Sequence, residues 1–469
     1  MARTGSSESD TPTPDAMADK ARQCLVLGDY ADVDAYSLEA MILLLKGHYF
    51  YVSDNRPRGA ATAANLWYLI GMVIRLAVRR GYHRDPSKLP AARLSPFAGE
   101  MRRRIWVAIV QVDSLMSFQV GLPSMIPLAD CDTALPRNLE FSDLSPEMKA
   151  LPPSRPVSDV TSILYTIVKS GIMSCFQSVV AHTRSLAPRS YEDTAQLDTR
   201  LRTAYSELPA YYQYKPLSQS LIDNPSVIMN RTTIEMLYLK SVIVLHRNYI
   251  PQYYKGQSPT ASSSSLATSR QVCLDAACTV LGRQAELAAA TRDGGLLHDA
   301  RWMISALTVN DFILAAMVLC LDLTLRGKHG VRDNDDDNSR SLTAIRTAHA
   351  IWVASSAQSP EARIAAEALG STLARVEAQQ VQVWQAMPSA QSAVDDSPSL
   401  PVDPMSTEDM DGLDFINWVS DLRILICCVF SLTLQAFLDN NCHDPLNEDL
   451  DLNAWMLDAT KASGFMDPF

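Results

Sequence analysis

The chain has 469 residues, 47% of them apolar and 20% charged, and a formal net charge of −11. That length and composition suit a large buried core, while the acidic balance argues against unaided DNA or RNA binding, which needs a basic stripe against the phosphates. The nine cysteines include no CxxC pair, which removes the usual zinc-ligand spacing and leaves free thiols in a reducing compartment as the expectation.

Residues 1–16 are mostly Ser, Thr, Pro and Asp, so a disordered tail is expected there, with no secretion signal. Helical spacing starts near Met17. Ser37 is expected to cap a second helix in which Leu38, Met41, Leu44 and Leu45 share a face. From Thr62 to Arg80, Leu66, Leu69, Ile70, Val73 and Ala77 make a core stripe, and Gly81 supplies the left-handed position that ends the helix. Ser95 and Pro96 open the next helix, whose stripe is Met101, Ile105, Ala108, Val112 and Leu115. Arg102 and Asp113 lie at one azimuth but about 16 Å apart along the axis, so each needs another partner if buried. Asp85, Asp130 and Asp132 are the nearest carboxylates for Arg102, Arg103 and Arg104, and a structural ion network is expected rather than a phosphate site.

Beyond Asn138 a Pro- and Ser-rich connector runs to about residue 158. A helix follows with Ile163, Ile167, Gly171, Cys175 and Val179 near one face. Tyr191 to Tyr205 is next, with Leu197, Leu201 and Ala204 inward and Pro209 as its break. Thr232 to Tyr249 is apolar nearly all round, residues 255–269 read as a Ser-rich loop, and Arg270 to Ala289 resumes a helix. Trp302 to Leu325 is very hydrophobic, but Asn310 and Asp311 interrupt it, which favours a core helix over a membrane span. The run Asp333 to Asp337 is expected in a solvated loop, followed by amphipathic segments at Ser341 to Ala354 and Glu361 to Met387. Residues 388–412 read as a linker and 413–469 as an acidic and apolar segment, partly disordered. Its block Leu422 to Leu438 is short for a span and suits a packed or partner-binding helix.

No succession of alternating segments occurs, so the expected fold is all-α: a large multi-helix domain over 17–387. No GxSxG, GxGxxG or P-loop pattern is present, and the eight histidines are scattered. No catalytic, cofactor-binding or metal-ligating residue is therefore assigned.

The order of motifs resembles the fungal-specific transcription factor domain, the middle homology region of fungal binuclear zinc-cluster regulators. The match runs through RLA with GYHRDPS (Arg75, Gly81, His83, Arg84, Asp85, Pro86), then SPFAGEMRRRIW (Glu100, Arg102, Arg103, Arg104, Trp106) and Asp113. It continues through GLPSMI (Gly121, Pro123) and DCDTALPRN (Asp130, Asp132, Pro136, Asn138). Later landmarks in order include LHRNYI (His246, Arg247) and NDFILAAMVLCLDL (Asp311), so roughly 20–375 are covered. These residues are similar to the family's structural signature, although Leu122 stands where its turn carries arginine. The six-cysteine DNA-binding head is absent from the sequence. The resemblance implies a nuclear control domain for metabolic or secondary-metabolite genes, with no direct nucleic-acid binding, membrane or cofactor. It also implies pairing with related regulators and a small-molecule effector, with the acidic C-terminal segment as an activation region or as plain disorder. Two other readings are a helical metal-dependent terpenoid-type synthase, which needs two facing carboxylate clusters, and a headless partner that represses full-length relatives.

Overall fold

Apolar residues at three- and four-residue steps fold into helices throughout the described residues of the computed structural model (14–27, 36–50, 60–90, 94–187, 189–256, 261–304, 306–329, 335–357 and 360–385), and no strand occurs among them. The helices are α1 (Pro14–Leu27), α2 (Ser37–Phe50), α3 (Ala60–Arg79), α4 (Pro96–Gln119), α5 (Leu164–Arg184) and α6 (Tyr191–Ser206). They continue with α7 (Pro225–His246), α8 (Tyr249–Lys255), α9 (Ser263–Ala290), α10 (Ala306–His329), α11 (Asp335–Ser355) and α12 (Pro360–Gln385). The expected linker, acidic segment and apolar block Leu422 to Leu438 lie outside the described residues, as do residues 1–13 of the expected tail.

Several boundaries differ from the sequence reading, each for a local reason. Pro14 to Ala16 belong to α1, where proline suits a first turn. Ser37 is the first residue of α2 and not its cap, because the Ala40 N–H already donates to the Tyr36 carbonyl at 2.9 Å. α7 starts seven residues earlier than expected by apolar pattern, at Pro225, with the Asn224 side chain accepting from the Ser226 N–H. The Ser-rich segment ends inside a helix: Ser262 caps α9 through the Ser265 N–H, so Ser263 to Ser265 form its first turn. Trp302 sits in a 3-10 turn at His298–Met303, half exposed, and Ile304 is extended before α10 begins. Asp335 to Asp337 belong to the first turn of α11 and not to a loop; Asp333 and Asn334 are outside the described residues. The inward face of α5 runs through Ile172, Cys175, Phe176 and Val179, and Gly171 is exposed.

Two apolar clusters result. The smaller joins Leu38 and Leu45 of α2, Ile70 and Val73 of α3, and Trp106, Ile109 and Met116 of α4. The larger gathers α5 to α12 around α7, α9 and α10, whose Ile243, Ala277 and Ala315 are almost wholly buried. α4 is the shared wall. Its 24 residues, about 36 Å long at the helical rise, pack Trp106 and Ile109 on the first cluster, while Leu115 and Phe118 pack on the second. α5 and α10 are each long and apolar enough to cross a membrane by composition, but 67% of the most apolar window of α10 is buried within the protein, as a core helix requires.

Candidate functional site

The end of α3 and the start of α4 form a polar hub. Gly81 takes φ +77°, letting Tyr82 N–H reach back to the Ala77 carbonyl at 3.0 Å. The orphan carbonyl of Arg80 is taken by Arg102, whose Nη1 donates at 2.9 Å while its guanidinium lies 4.8 Å from the Tyr82 ring centroid. Arg102 thus caps α3 and does not pair with a loop carboxylate, contrary to the sequence expectation.

Asp85 is only 2% exposed. It caps the turn Pro86–Lys88 through the Ser87 N–H at 2.9 Å, and Pro86 holds the first position of that turn. Arg103 grips its carboxylate from both sides, Nε to Oδ2 at 3.0 Å and Nη2 to Oδ1 at 2.7 Å. The Ala134 N–H adds a third element at 2.8 Å. Burial alone would raise the Asp85 pKa, but the bonds from Arg103, Ser87 and Ala134 outweigh it and hold the carboxyl far below the usual range. Asp132 fastens the same loops: Oδ1 accepts from the Asp85 N–H at 2.8 Å, and Oδ2 lies 3.1 Å from both Arg84 and Lys88. His83 joins through its carbonyl, which accepts from the Asp132 N–H at 3.0 Å.

Glu100 and Arg104, one turn apart on α4, form the other side. Glu100 is fully buried, with Oε1 3.3 Å from Arg104 Nε and 3.1 Å from the Arg137 N–H. Burial pushes its carboxyl up, and the Arg104 guanidinium opposes this. Arg104 also donates to the Leu139 carbonyl at 2.7 Å. Asn138 then knits the connector together, its Nδ2 donating to the carbonyls of Pro156 and Asp159, each at 2.9 Å. Within the expected ion network, Arg103 and Arg104, and not Arg102, therefore hold the buried carboxylates.

Asp113 is fully buried yet meets no cation. It accepts from Ser117 Oγ at 3.0 Å, from Ser124 Oγ and from the Met125 N–H at 3.1 Å, pinning the turn that follows Gly121 at φ +74°. Trp106 and Pro136 are buried beneath these loops, whereas Arg75, Pro123 and Asp130 are exposed, Asp130 with no arginine against it.

Farther along, His246 lies between Ser269 Oγ, 3.1 Å from its Nδ1, and Asp198 Oδ1, 3.4 Å from its Nε2 but poorly aligned for a hydrogen bond. The residue types are those of a nucleophile relay. Ser269 has no exposed surface and its Oγ also meets the Tyr191 hydroxyl at 2.9 Å, so no substrate carbon reaches it. Arg247 is half-buried, and burial lowers its pKa. No cluster of metal-ligating side chains occurs among the described residues.

What the structure adds is a cavity of about 390 Å³ between the two apolar clusters. Its wall comes from Leu45 of α2, Gln111 and Leu115 of α4, Tyr165 and Lys169 of α5, Met236 and Lys240 of α7, Met303, and Asp311 of α10. Lys240 is 3% exposed, pairs with Asp311 at 2.7 Å and lies 4.9 Å from the Phe118 ring centroid. Burial raises the Asp311 carboxyl and Lys240 pulls it back. Lys169 has no carboxylate within ion-pair reach among the described residues; its ammonium lies 5.7 Å from the Tyr165 ring centroid, and burial lowers its pKa to about 8. Of these residues only Asp311 stands in the sequence signature. Lysine in helices apolar nearly all round was the available signal for the others.

Residues 34–207 match the family described as "Fungal specific transcription factor domain". The chain is 38% identical over 370 residues to the "Zn(2)-C6 fungal-type transcription factor mpsB" of Macrophomina phaseolina, covering 77% of this chain and 48% of that protein. It is 36% identical to the "Zn(2)-C6 fungal-type transcription factor pigI" of Monascus ruber, over 76% of this chain and 43% of the relative. It is 35% identical to the "Fusarisetin A cluster transcription factor fsa6" of a Fusarium species, over 76% and 45%. The chain thus spans about half the length of these curated relatives, and no solved structure matches it.

Proposed function

The chain belongs to the fungal-specific transcription factor domain family, and from that premise we propose that it regulates transcription of a secondary-metabolite gene set, in the nucleus, as a control module and not as a catalyst. The observation that carries the reading is the similarity over three quarters of the chain to proteins named as transcription factors, one of them as a Fusarisetin A cluster transcription factor. The hub supports a conformational mechanism. Asp85, Glu100 and Asp113 each tie α4 to a different loop, and α4 is also the wall between the two clusters. A ligand or partner that shifts α4 therefore repacks both clusters together, since close-packed interiors move between discrete arrangements. Pairing with a related regulator and a small-molecule effector belong to the same proposal. The test is to tether the whole chain to a foreign DNA-binding module upstream of a reporter. The proposal expects output to differ from the module alone and to change again when residues from Pro388 onward are removed. Output equal to that of the module alone in both cases opposes it.

A further inference from the structure

We propose that the cavity between the two apolar clusters is an effector site for an amphipathic organic monoanion, with the Lys169 ammonium as the counter-ion of its acidic head. The inference rests on the reading of the helical body as an effector-responsive control module, and it specifies the chemistry of the effector.

The volume, about 390 Å³, lies in the lower part of the roughly 300–1,000 Å³ range of small-molecule sites. The wall is mostly apolar, from Leu45, Leu115, Met116, Met236 and Leu237, with Lys169, Lys240 and Asp311 as its charged groups. That division suits a ligand with a hydrocarbon body and one polar end. The charges decide the sign of that end. Lys169 and Lys240 are two cations and Asp311 is one carboxylate, and the Lys240–Asp311 pair cancels itself at 2.7 Å. One positive charge is left, on Lys169, which among the described residues meets the face of the Tyr165 ring and no carboxylate.

The other groups facing the space do not neutralise it. The Tyr165 hydroxyl is pushed up to about 12 and stays protonated, bonded to Thr233. Gln111 spends its amide N–H groups on the Thr166 carbonyl at 3.1 Å and Ser170 Oγ at 2.9 Å. Among the described residues, α2 and the Trp302–Met303 turn bring no charge to the wall. A half-buried ammonium with no carboxylate in reach is costly unless an anion joins it, and a carboxylate head repairs that cost while its chain removes apolar wall from water. A neutral ligand achieves only the second gain, and a cationic one is repelled.

The test titrates the full chain with decanoate, and separately with decanol, by calorimetry at pH 7. The proposal expects one decanoate site. Lys169→Met is expected to weaken it by roughly tenfold to hundredfold, the worth of a charge-assisted hydrogen bond, while decanol binds the parent and the variant alike. Leu115→Trp, which fills the space, is expected to abolish both. Lys169→Gln gives a second variant should the first fail to fold. The unsubstituted protein is expected to lose decanoate affinity between pH 7 and pH 9.5 as the ammonium is deprotonated. Equal affinity for decanoate and decanol, or decanoate binding indifferent to both Lys169 variants and to pH, overturns the proposal. Lack of decanoate binding with a working tethered reporter sinks the site and spares the regulatory reading; tight binding with a silent reporter does the reverse.

Discussion

Asp85→Ala lowers the stability of the protein by about 3–5 kcal/mol, the usual consequence of breaking a buried ion pair from one side. The size follows from what is left behind. Arg103 loses both bonds of its fork and remains a charge whose side chain is only 12% exposed. The N–H groups of Ser87 and Ala134 lose their acceptor at the same time. Chemical denaturation of parent and variant with a common slope reads the difference directly. A change below about 1 kcal/mol, the range of ordinary surface substitutions, would mean that the hub is a bystander.

The same residue carries a pH signature. Its carboxyl is held well below the unfolded value of about 3.9. The stabilisation is therefore present above that unfolded value and is lost as pH falls below it towards the folded value. Asp85→Asn, which keeps the shape and drops the charge, should lose less stability than the parent over that acid window.

Lys169→Met acts in the opposite direction and raises the stability of the unliganded protein by about 1–3 kcal/mol at pH 7, the upper end being the equivalent of the shift from an ordinary lysine to a value near 8 and the partial exposure of the side chain lowering it. The folded pKa lies below the unfolded one, so between about pH 8 and the ordinary lysine value the unfolded chain binds more protons. Parent stability rises with pH through that window, and below it the full cost of the buried ammonium stands. Methionine removes the charge, so the variant is more stable at pH 7 and lacks the alkaline rise. Thermal unfolding at several pH values checks both features. A variant less stable than the parent at pH 7 would show that Lys169 is already compensated within the fold. The expected combination, a gain in stability with a loss of decanoate binding, is the pattern of a residue kept for its site rather than for packing.

The helices were legible because their signals are local. Ser95 and Pro96 start α4, Gly81 ends α3, and the apolar stripe between Leu66 and Ala77 is inward as its spacing requires. The errors arose where two local signals compete. Serine runs suit loops and caps equally, so the start of α9 depended on which serine captured a backbone N–H. Asp335 to Asp337 suit either a solvated loop or the first turn of a helix.

The hub was half legible. The family-like order of motifs pointed to the right loops, and Asp85 was among the three carboxylates expected near the arginines. Which arginine meets which acid is a matter of tertiary approach, and one helical position separates capping α3 from gripping Asp85. The cavity was not legible at all. It is bounded by residues from α2, α4, α5, α7 and α10, which no spacing rule connects.

The central claim, that this chain governs transcription, is tested most directly by the transcript profile of a strain in which its gene is deleted, grown where secondary-metabolite genes are expressed. The account predicts that the transcripts of one secondary-metabolite gene set rise or fall together while the rest of the profile stays near the parent's. Secondary-metabolite transcripts that are all unchanged, with an altered metabolite in their place, would contradict it and point to catalysis.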